Sequence, residues 1–331
     1  MLDTATALVM AAVLAGTPLL LGALGEMLTE RSGNLNLGVE GMMFMGAITG
    51  LIGSYLYEQV ALAAGIQVVG AVSALIALVV SFLAGAFGAL IYGFLTITLR
   101  ANQNVTGLVL AIFGTGFANF FGEYAGLQAG GYVAVSSATK GAFAPLTIPF
   151  LSDIPVLGQL LFQYNWMVYF AIAVAVIMSV FLFKTRFGLN LRSVGEDPAA
   201  ADAAGINVAR YRYLATVIGG GICGIGGMYM SMVTTSGVWV HGCVSGYGWL
   251  AVALVIFATW SPLRGILMAG IFGGLMIMRM YISIPGLPVQ IYEMLPYLAT
   301  ILVLIITSAR QSKEHSMPAG TGLNYFREDR E

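Results

Sequence analysis

Long apolar runs separated by polar stretches repeat along the whole chain. Hydropathy outlines them at 5–25, 38–56, 67–97, 103–123, 165–183, 213–233, 248–262, 264–282 and 294–309. Most approach the roughly 20 residues that an α-helix needs to cross a hydrocarbon core of ~30 Å. They are continuous rather than alternating, which favours helices over barrel strands. The pattern predicts an all-α, polytopic transmembrane helix bundle of about nine spans (eight to ten), in which run 67–97 is one crossing or two.

Composition agrees with a membrane protein and limits the chemistry. Of the 331 residues, 59% are hydrophobic and 9% are charged, against roughly 25% charged in soluble domains. Because the chain is so apolar, we expect membrane lipid around it. The net charge of −1 gives no reason to expect a nucleic-acid partner. The chain has no GxxxxGK[ST] loop for nucleotide phosphates and only two histidines. We therefore expect no enzyme activity, no metal and no cofactor in this chain.

Basic residues cluster in two polar segments, and this predicts the orientation. They are Lys184, Arg186, Arg192, Arg210 and Arg212 in one segment, and Arg310, Lys313, Arg327 and Arg330 in the tail. Because basic loops stay in the cytoplasm, both segments are expected there, whereas 124–164 and the N-terminus are expected outside. The expected organisation is one transmembrane domain, 1–310, with a cytoplasmic segment 184–212, followed by a cytoplasmic tail, 311–331.

The segment 184–212 contains the start and stop signals of one short helix. Asp197 is a good N-cap, Pro198 suits the first helical position, an alanine-rich run follows, and Gly205 ends the helix. So short a helix is unstable alone in water, so it needs a surface to dock against. We expect it to dock on a cytoplasmic partner; a simple connector is the alternative.

The stretch "ERSGNLNLGVEGMM", Glu30 to Met43, places glycines and polar residues between two apolar runs. It predicts a broken helix near residues 31–41, because transporters place unwound backbone beside the solute path and away from lipid. A cytoplasmic loop is the alternative. The residues expected along a solute path are Asn34, Asn36, Glu40, Asn102, Asn104 and Trp249.

Four stretches together resemble a known family. They are "ERSGNLNLGVEGMM", "ANQNVTGLVL", "TRFGLNLRSVGEDPAAADAAGIN" and "GYGWLAVALVIFATWSPL". The chain resembles the permease subunits of binding-protein-dependent ABC importers for branched-chain amino acids, simple sugars and nucleosides, and within that group it looks most like the nucleoside branch. It departs from the family at Tyr247, where many members carry a basic residue between two glycines.

The resemblance implies a bacterial-type plasma (inner) membrane protein that pairs with a second permease, identical or related. Two cytoplasmic ATPase subunits, or one double ATPase, and an extracytoplasmic solute-binding lipoprotein would complete the importer, with ATP bound in the partner subunits. The short helix then looks like a coupling helix. The residues for which the resemblance implies a role in ATPase coupling are Arg192, Glu196, Asp197, Pro198, Ala200, Asp202 and Gly205.

Three alternatives remain at the level of sequence. A permease of the same kind for a simple sugar, a vitamin or an amino acid has the same motifs. An ion-coupled secondary transporter needs intramembrane carboxylates, of which Glu40 is the good candidate. An intramembrane enzyme is disfavoured, because no catalytic set of residues stands out.

Overall fold

A computed structural model describes residues 2–146, 157–282, 288–310 and 317–326. The described helices are α1 Leu2–Glu30, α2 Val39–Ala63, α3 Gly70–Gly93, α4 Gln103–Gln128, α5 Ser137–Ala142, α6 Leu157–Phe162, α7 Trp166–Lys184, α8 Arg186–Glu196, α9 Pro198–Ala203, α10 Val208–Tyr229, α11 Tyr247–Phe257, α12 Pro262–Tyr281 and α13 Val289–Arg310. Besides these helices, the described ranges contain one isolated β-bridge, between Ala134 and Val238. The fold is therefore all-helical.

Seven described helices are long and apolar enough to cross a membrane. They are Ala5–Glu30, Val39–Ala63, Gly70–Thr98, Gln103–Gln128, Trp166–Lys184, Val208–Thr234 and Pro262–Tyr281. Tyr247–Phe257 and Val289–Ile305 are shorter apolar helices, so the expected count of about nine is not confirmed. Run 67–97 forms one helix, because α3 continues through a π-helical turn, Phe94–Thr98.

Helix α10 lies at the centre of the bundle and packs against α1, α2 and α3. Its glycines meet glycines of these neighbours: Gly219 contacts Gly25 of α1, and Gly224 contacts Gly46 of α2. A Cβ atom at any of these positions would overlap backbone atoms of the facing helix. Small residues let membrane helices approach until their backbones touch. We call these contacts the glycine seam.

Connecting segments gather at the two ends of the bundle. At one end, α8, α9, the turn before α2 and residues 317–326 contact one another, and we call this the α9 end; there Gly320 N–H donates to the Gly195 carbonyl at 2.9 Å. At the opposite end, Ser136 N–H donates to Glu58 Oε2 at 2.9 Å. Residues 311–316 and 327–331 of the predicted tail lie outside the described residues.

The two ends give a test of the predicted orientation by cysteine labelling. In a background in which Cys223 and Cys243 are replaced by alanine, a membrane-impermeant maleimide added to intact cells should label Tyr132→Cys. Tyr132 lies beyond α4 at the opposite end and is 68% exposed. The same reagent should miss Ala209→Cys, which is exposed at the α9 end, until the cells are opened. The reverse pattern would contradict a cytoplasmic α9 end.

Candidate functional site

The break between α1 and α2 is a buried turn rather than an open loop. Asn34 and Asn36 are 0% and 1% exposed. Asn34 Nδ2 donates to Thr216 Oγ1 of α10 at 3.0 Å. Asn36 donates its backbone N–H to Glu26 Oε1 at 2.9 Å, and its Oδ1 accepts from the N–H two residues further on, also at 2.9 Å. Both asparagines therefore support the shape of the break.

The part of the break next to α2 lies deeper in the bundle than the start of α4. Gly38 contacts the backbone of Gly107, and Gly41 contacts the backbone of Leu110. Since α4 begins at Gln103 and a helix rises about 1.5 Å per residue, Gly107 lies about 6 Å inside that end. Buried irregular backbone has to find its hydrogen-bond partners inside the protein. Here the side chains of Glu26, Asn36 and Gln103 accept hydrogen bonds from N–H groups of the break.

Two carboxylates that the sequence analysis did not single out lie beside the break. Glu26 and Glu30 occupy the last two turns of α1 and are 0% and 2% exposed. Trp260 Nε1 donates to Glu30 Oε2, and Arg31 Nη2 donates to the Trp260 carbonyl at 3.2 Å. Glu26 and Glu30 are four residues apart, which places both on one face of a helix. This spacing is the signal in the sequence that could have pointed to them. These contacts connect the end of α1 to the segment after α11.

A second irregular segment, residues 235–246, joins α10 to α11. It begins at the end of the bundle opposite to α9, where Val135 N–H donates to the Gly237 carbonyl at 2.9 Å. It ends inside the bundle at Gly246, whose φ of 83° is readily adopted by glycine. Helix α11 then spans only about 16 Å at about 1.5 Å per residue. A half-length helix preceded by irregular backbone is typical of a transporter path.

The two irregular segments meet at Glu40. The backbone of Gly248 contacts the backbone of Glu40, and Gly246 N–H donates to Glu40 Oε2 at 3.2 Å. The N–H groups of Gly248 and Trp249 also interact with this carboxylate. Glu40 therefore caps the N-terminus of α11, where the helix dipole favours a negative charge. Its side chain is only half-buried, and a carboxylate has about four acceptor sites, so acceptor capacity remains for a solute.

Two exposed aromatic residues lie near the start of α11. Trp249 on α11 is 40% exposed and Tyr297 on α13 is 50% exposed. The Tyr297 hydroxyl lies 3.2 Å from the position that a Cβ on Gly246 would occupy. Such side chains combine an apolar ring with a polar tip, which suits a solute that has both a flat and a hydroxylated part. We call Glu40, Gly246, Trp249 and Tyr297 the Glu40 site. No sequence pattern pointed to Tyr297.

The other predicted path residues lie elsewhere. Asn102 caps α4 by accepting from the Val105 N–H at 3.0 Å, and Asn104 is exposed in the first turn of the same helix. The structure thus brings Glu40 and Trp249 together, places Asn34 and Asn36 in the buried break, and leaves Asn102 and Asn104 at the α9 end.

The short helix forms as its sequence signals predict. Asp197 Oδ1 accepts from the N–H groups of Ala199 and Ala200 at 3.0 and 2.9 Å, Pro198 is the first helical residue, and Gly205 follows the helix with φ 82°. Only Ala201 is fully buried, in a small cluster with residues of α8 and α10. The remaining alanines of the segment, Ala199, Ala200, Ala203 and Ala204, are exposed. A narrow face of methyl groups is therefore free for a partner.

The charged residues predicted for coupling are partly engaged within the chain. The Arg192 guanidinium lies 5.2 Å from the centre of the Phe183 ring. Glu196 Oε2 accepts from the Ala319 N–H at 3.2 Å, and Asp202 Oδ2 accepts from the Tyr325 hydroxyl at 3.0 Å. The exposed members of the predicted set are Glu196, Asp197, Ala200 and Gly205, and of these Ala200 and Gly205 have no side-chain hydrogen bond to make.

Metal-binding groups are not clustered in the part of the chain that the structure describes. No set of three or more His, Cys, Asp or Glu side chains within those ranges is close enough to hold a metal ion. His241 is exposed in the segment before α11. Burial raises the pKa of the neighbouring Cys243 thiol to about 12, so this thiol is expected to stay protonated at neutral pH.

Comparisons with known proteins agree with this architecture. A family described as "Branched-chain amino acid transport system / permease component" matches residues 8–304. The putative glucose ABC transporter permease protein TsgC13 of Haloferax volcanii is 34% identical, with 98% of each chain covered. The guanosine ABC transporter permease protein NupQ of Bacillus subtilis is 34% identical, covering 94% of this chain and 95% of its own. The nucleoside ABC transporter permease protein NupC of Lactococcus lactis is 31% identical, with 94% of each covered.

Further permeases from two of these organisms match less closely. A glucose permease of H. volcanii, TsgB13, is 25% identical and a guanosine permease of B. subtilis, NupP, is 24% identical, each over 88% of this chain. Two different permeases with the same named solute therefore occur in each organism. No solved structure matches this chain significantly.

Proposed function

Because the chain belongs to the branched-chain amino acid transport permease family, we propose that it is the pore-forming subunit of an ABC importer for nucleosides. The Glu40 site carries this proposal. Its carboxylate can accept hydrogen bonds from the hydroxyl groups of a ribose, and the exposed rings of Trp249 and Tyr297 can stack on a base. Stacking of a base on an aromatic ring contributes about 1–3 kcal/mol.

The relatives support the same class of solute. Of the three permeases that are 31–34% identical, two are named for guanosine or nucleosides. A simple sugar is the second candidate, because the glucose permease is as similar, at 34% identity. The ribose of a nucleoside and glucose are both hydroxylated rings that a carboxylate can bind. The base is therefore the part that distinguishes a nucleoside from glucose.

The proposed importer needs further subunits besides this chain. We propose that ATP is bound and hydrolysed in separate subunits, and that the exposed alanines of α9 contact them at the cytoplasmic face. Pairs of different permeases with one named solute in H. volcanii and B. subtilis support a related second permease beside this chain. An extracytoplasmic solute-binding lipoprotein completes the assembly in the plasma membrane.

Solute competition tests the proposal. The complex of this chain with its second permease, ATPase and binding protein is reconstituted in liposomes with ATP inside, and uptake of radiolabelled guanosine is measured. A hundredfold excess of another nucleoside should suppress uptake at least tenfold, whereas glucose and ribose should not. If the complex takes up labelled glucose and added nucleosides do not reduce this uptake, the result would favour the sugar importer. Uptake that needs an ion gradient and no ATP would overturn the ABC assignment.

A further inference from the structure

The segment 317–326 lies across the α9 end of the bundle, and we call it the tail strap. Its middle is bound to the break between α1 and α2. Gly322 N–H donates to the Gly33 carbonyl at 3.2 Å, and the Thr321 hydroxyl donates to the Glu30 carbonyl at 3.3 Å. Thr321 is 7% exposed, so the strap is packed into this face rather than resting on it.

One edge of the tail strap runs beside the docking helix α9. At the start of α9, Ala319 N–H donates to Glu196 Oε2 at 3.2 Å, and Gly320 lies against the Pro198 ring. Towards the end of α9, the Tyr325 hydroxyl donates to Asp202 Oδ2 at 3.0 Å. The strap therefore contacts α9 at both of its ends.

The other edge contacts the start of α4. Asn324 Nδ2 donates to the Arg100 carbonyl at 2.6 Å, and Gln103 Nε2 donates to the Leu323 carbonyl at 3.4 Å. The Arg100 guanidinium lies 4.5 Å from the centre of the Phe326 ring. Helix α4 is the helix whose backbone meets the break about one turn further in.

A cavity of about 380 Å³ lies between two walls, of which one is the end of α3 with the linker to α4 and the other is α9 with the start of α10. Thr96, Arg100, Asp202 and Asn207 line it from the two sides, and Tyr325 closes part of it. The hydroxyl groups of Thr98 and of Tyr213 on α10 share a hydrogen bond across this region. The tail strap is a second described connection, which runs from Asp202 of α9 to the Arg100 carbonyl before α4. A displacement of α9 can reach α4 through the strap.

We propose that Asn324 and Tyr325 are positioning residues for transport, and that the tail strap transmits the movement of α9 to α4 and the break. The proposal rests on the proposed function, since it needs an ATPase that moves α9. Asn324 holds the α4 side of the strap and Tyr325 holds the α9 side, each through a hydrogen bond of its side chain. Neither residue contacts the Glu40 site in the described structure, so their role is mechanical.

The test measures uptake per ATP hydrolysed in the reconstituted complex, with radiolabelled guanosine as the solute. Tyr325→Phe removes the hydroxyl bond to Asp202. Asn324→Ala removes the amide bonds to the Arg100 and Ala101 carbonyls and to the Gln103 side chain, and the double variant removes all of them. Leu323→Ala is the matched control, because Leu323 contributes only backbone groups to the hydrogen bonds of the strap and its side chain is 62% exposed. We expect the double variant to take up at least fivefold less guanosine per ATP than the control, with unchanged membrane level and ATPase co-purification.

Three results distinguish failure of the strap proposal from failure of the proposed function. An uptake-to-ATP ratio in the double variant within twofold of the wild type would overturn the strap proposal and leave the importer intact. Parallel losses of protein level, ATPase co-purification and uptake, with the ratio preserved, would also overturn it, since a merely structural role predicts them. If the wild-type complex shows no ATP-driven uptake of guanosine or of glucose, the proposed function fails and the role of the strap fails with it.

Discussion

Ala200→Arg is expected to abolish ATPase association and to lower uptake by at least ~100-fold. Ala200 lies on the exposed methyl face of α9, which we propose enters a groove of the ATPase. A charged side chain buried there without a partner costs several kcal/mol, and each ~1.4 kcal/mol is a tenfold loss of affinity. Arginine is nearly as good a helix former as alanine, so α9 should still fold.

The measurement is co-purification of the ATPase with the membrane-extracted permease, together with uptake. Ala200→Ser is the control, because it keeps a small side chain at the same exposed position and should retain both properties. The membrane level of Ala200→Arg should equal that of the wild type. A secondary transporter has no reason to lose transport through this change, so full uptake by Ala200→Arg would count against the ABC importer.

Glu40→Ala is expected to lower uptake at least ~10-fold while the complex still assembles. The change removes the acceptor offered to the solute and the carboxylate that caps α11. Loss of a helix cap costs about 1 kcal/mol, which is too little to unfold a bundle held by the glycine seam. Glu40→Gln keeps one acceptor oxygen but loses the charge, so its uptake should fall between that of Glu40→Ala and that of the wild type.

Uptake as a function of guanosine concentration, beside membrane level and ATPase co-purification, checks this expectation. Glu123→Ala is a suitable control, since Glu123 is an exposed carboxylate on a long helix, α4, and should behave as the wild type. If Glu40→Ala transported normally at a normal membrane level, the Glu40 site would not lie on the solute path.

The features that could be predicted from the sequence are those that depend on local chemistry. The signals from Asp197 to Gly205 specify a helix through its own caps, and the structure has that helix with those caps. Long apolar runs likewise predicted the long helices, because a bilayer demands a minimum length. Glu40 stood out because a carboxylate inside an apolar run has few solvation options.

The features that could not be predicted depend on which segments meet in space. Asn34 and Asn36 stay predicted path residues, but their contacts with Thr216 and Glu26, which belong to other helices, could not be predicted from the sequence. Run 248–262 has the hydropathy of a span, but its helix ends at Phe257 and its start is set by the contact with Glu40. The tail strap has an unremarkable sequence, and its role rests on contacts made about 100 residues or more away along the chain.

The glycine seam limits which parts of the molecule can move during a transport cycle. Where two helices touch through backbone atoms alone, no side-chain rotamer can change to absorb sliding or rotation between them, and close-packed interiors transmit strain rather than deform. Helices α1, α2 and α10 should therefore turn and shift as one rigid body. Because the backbone of Gly248 touches the backbone of Glu40, the start of α11 should follow this body, and the hinges of the cycle then belong to the irregular segment 235–246 and to α13.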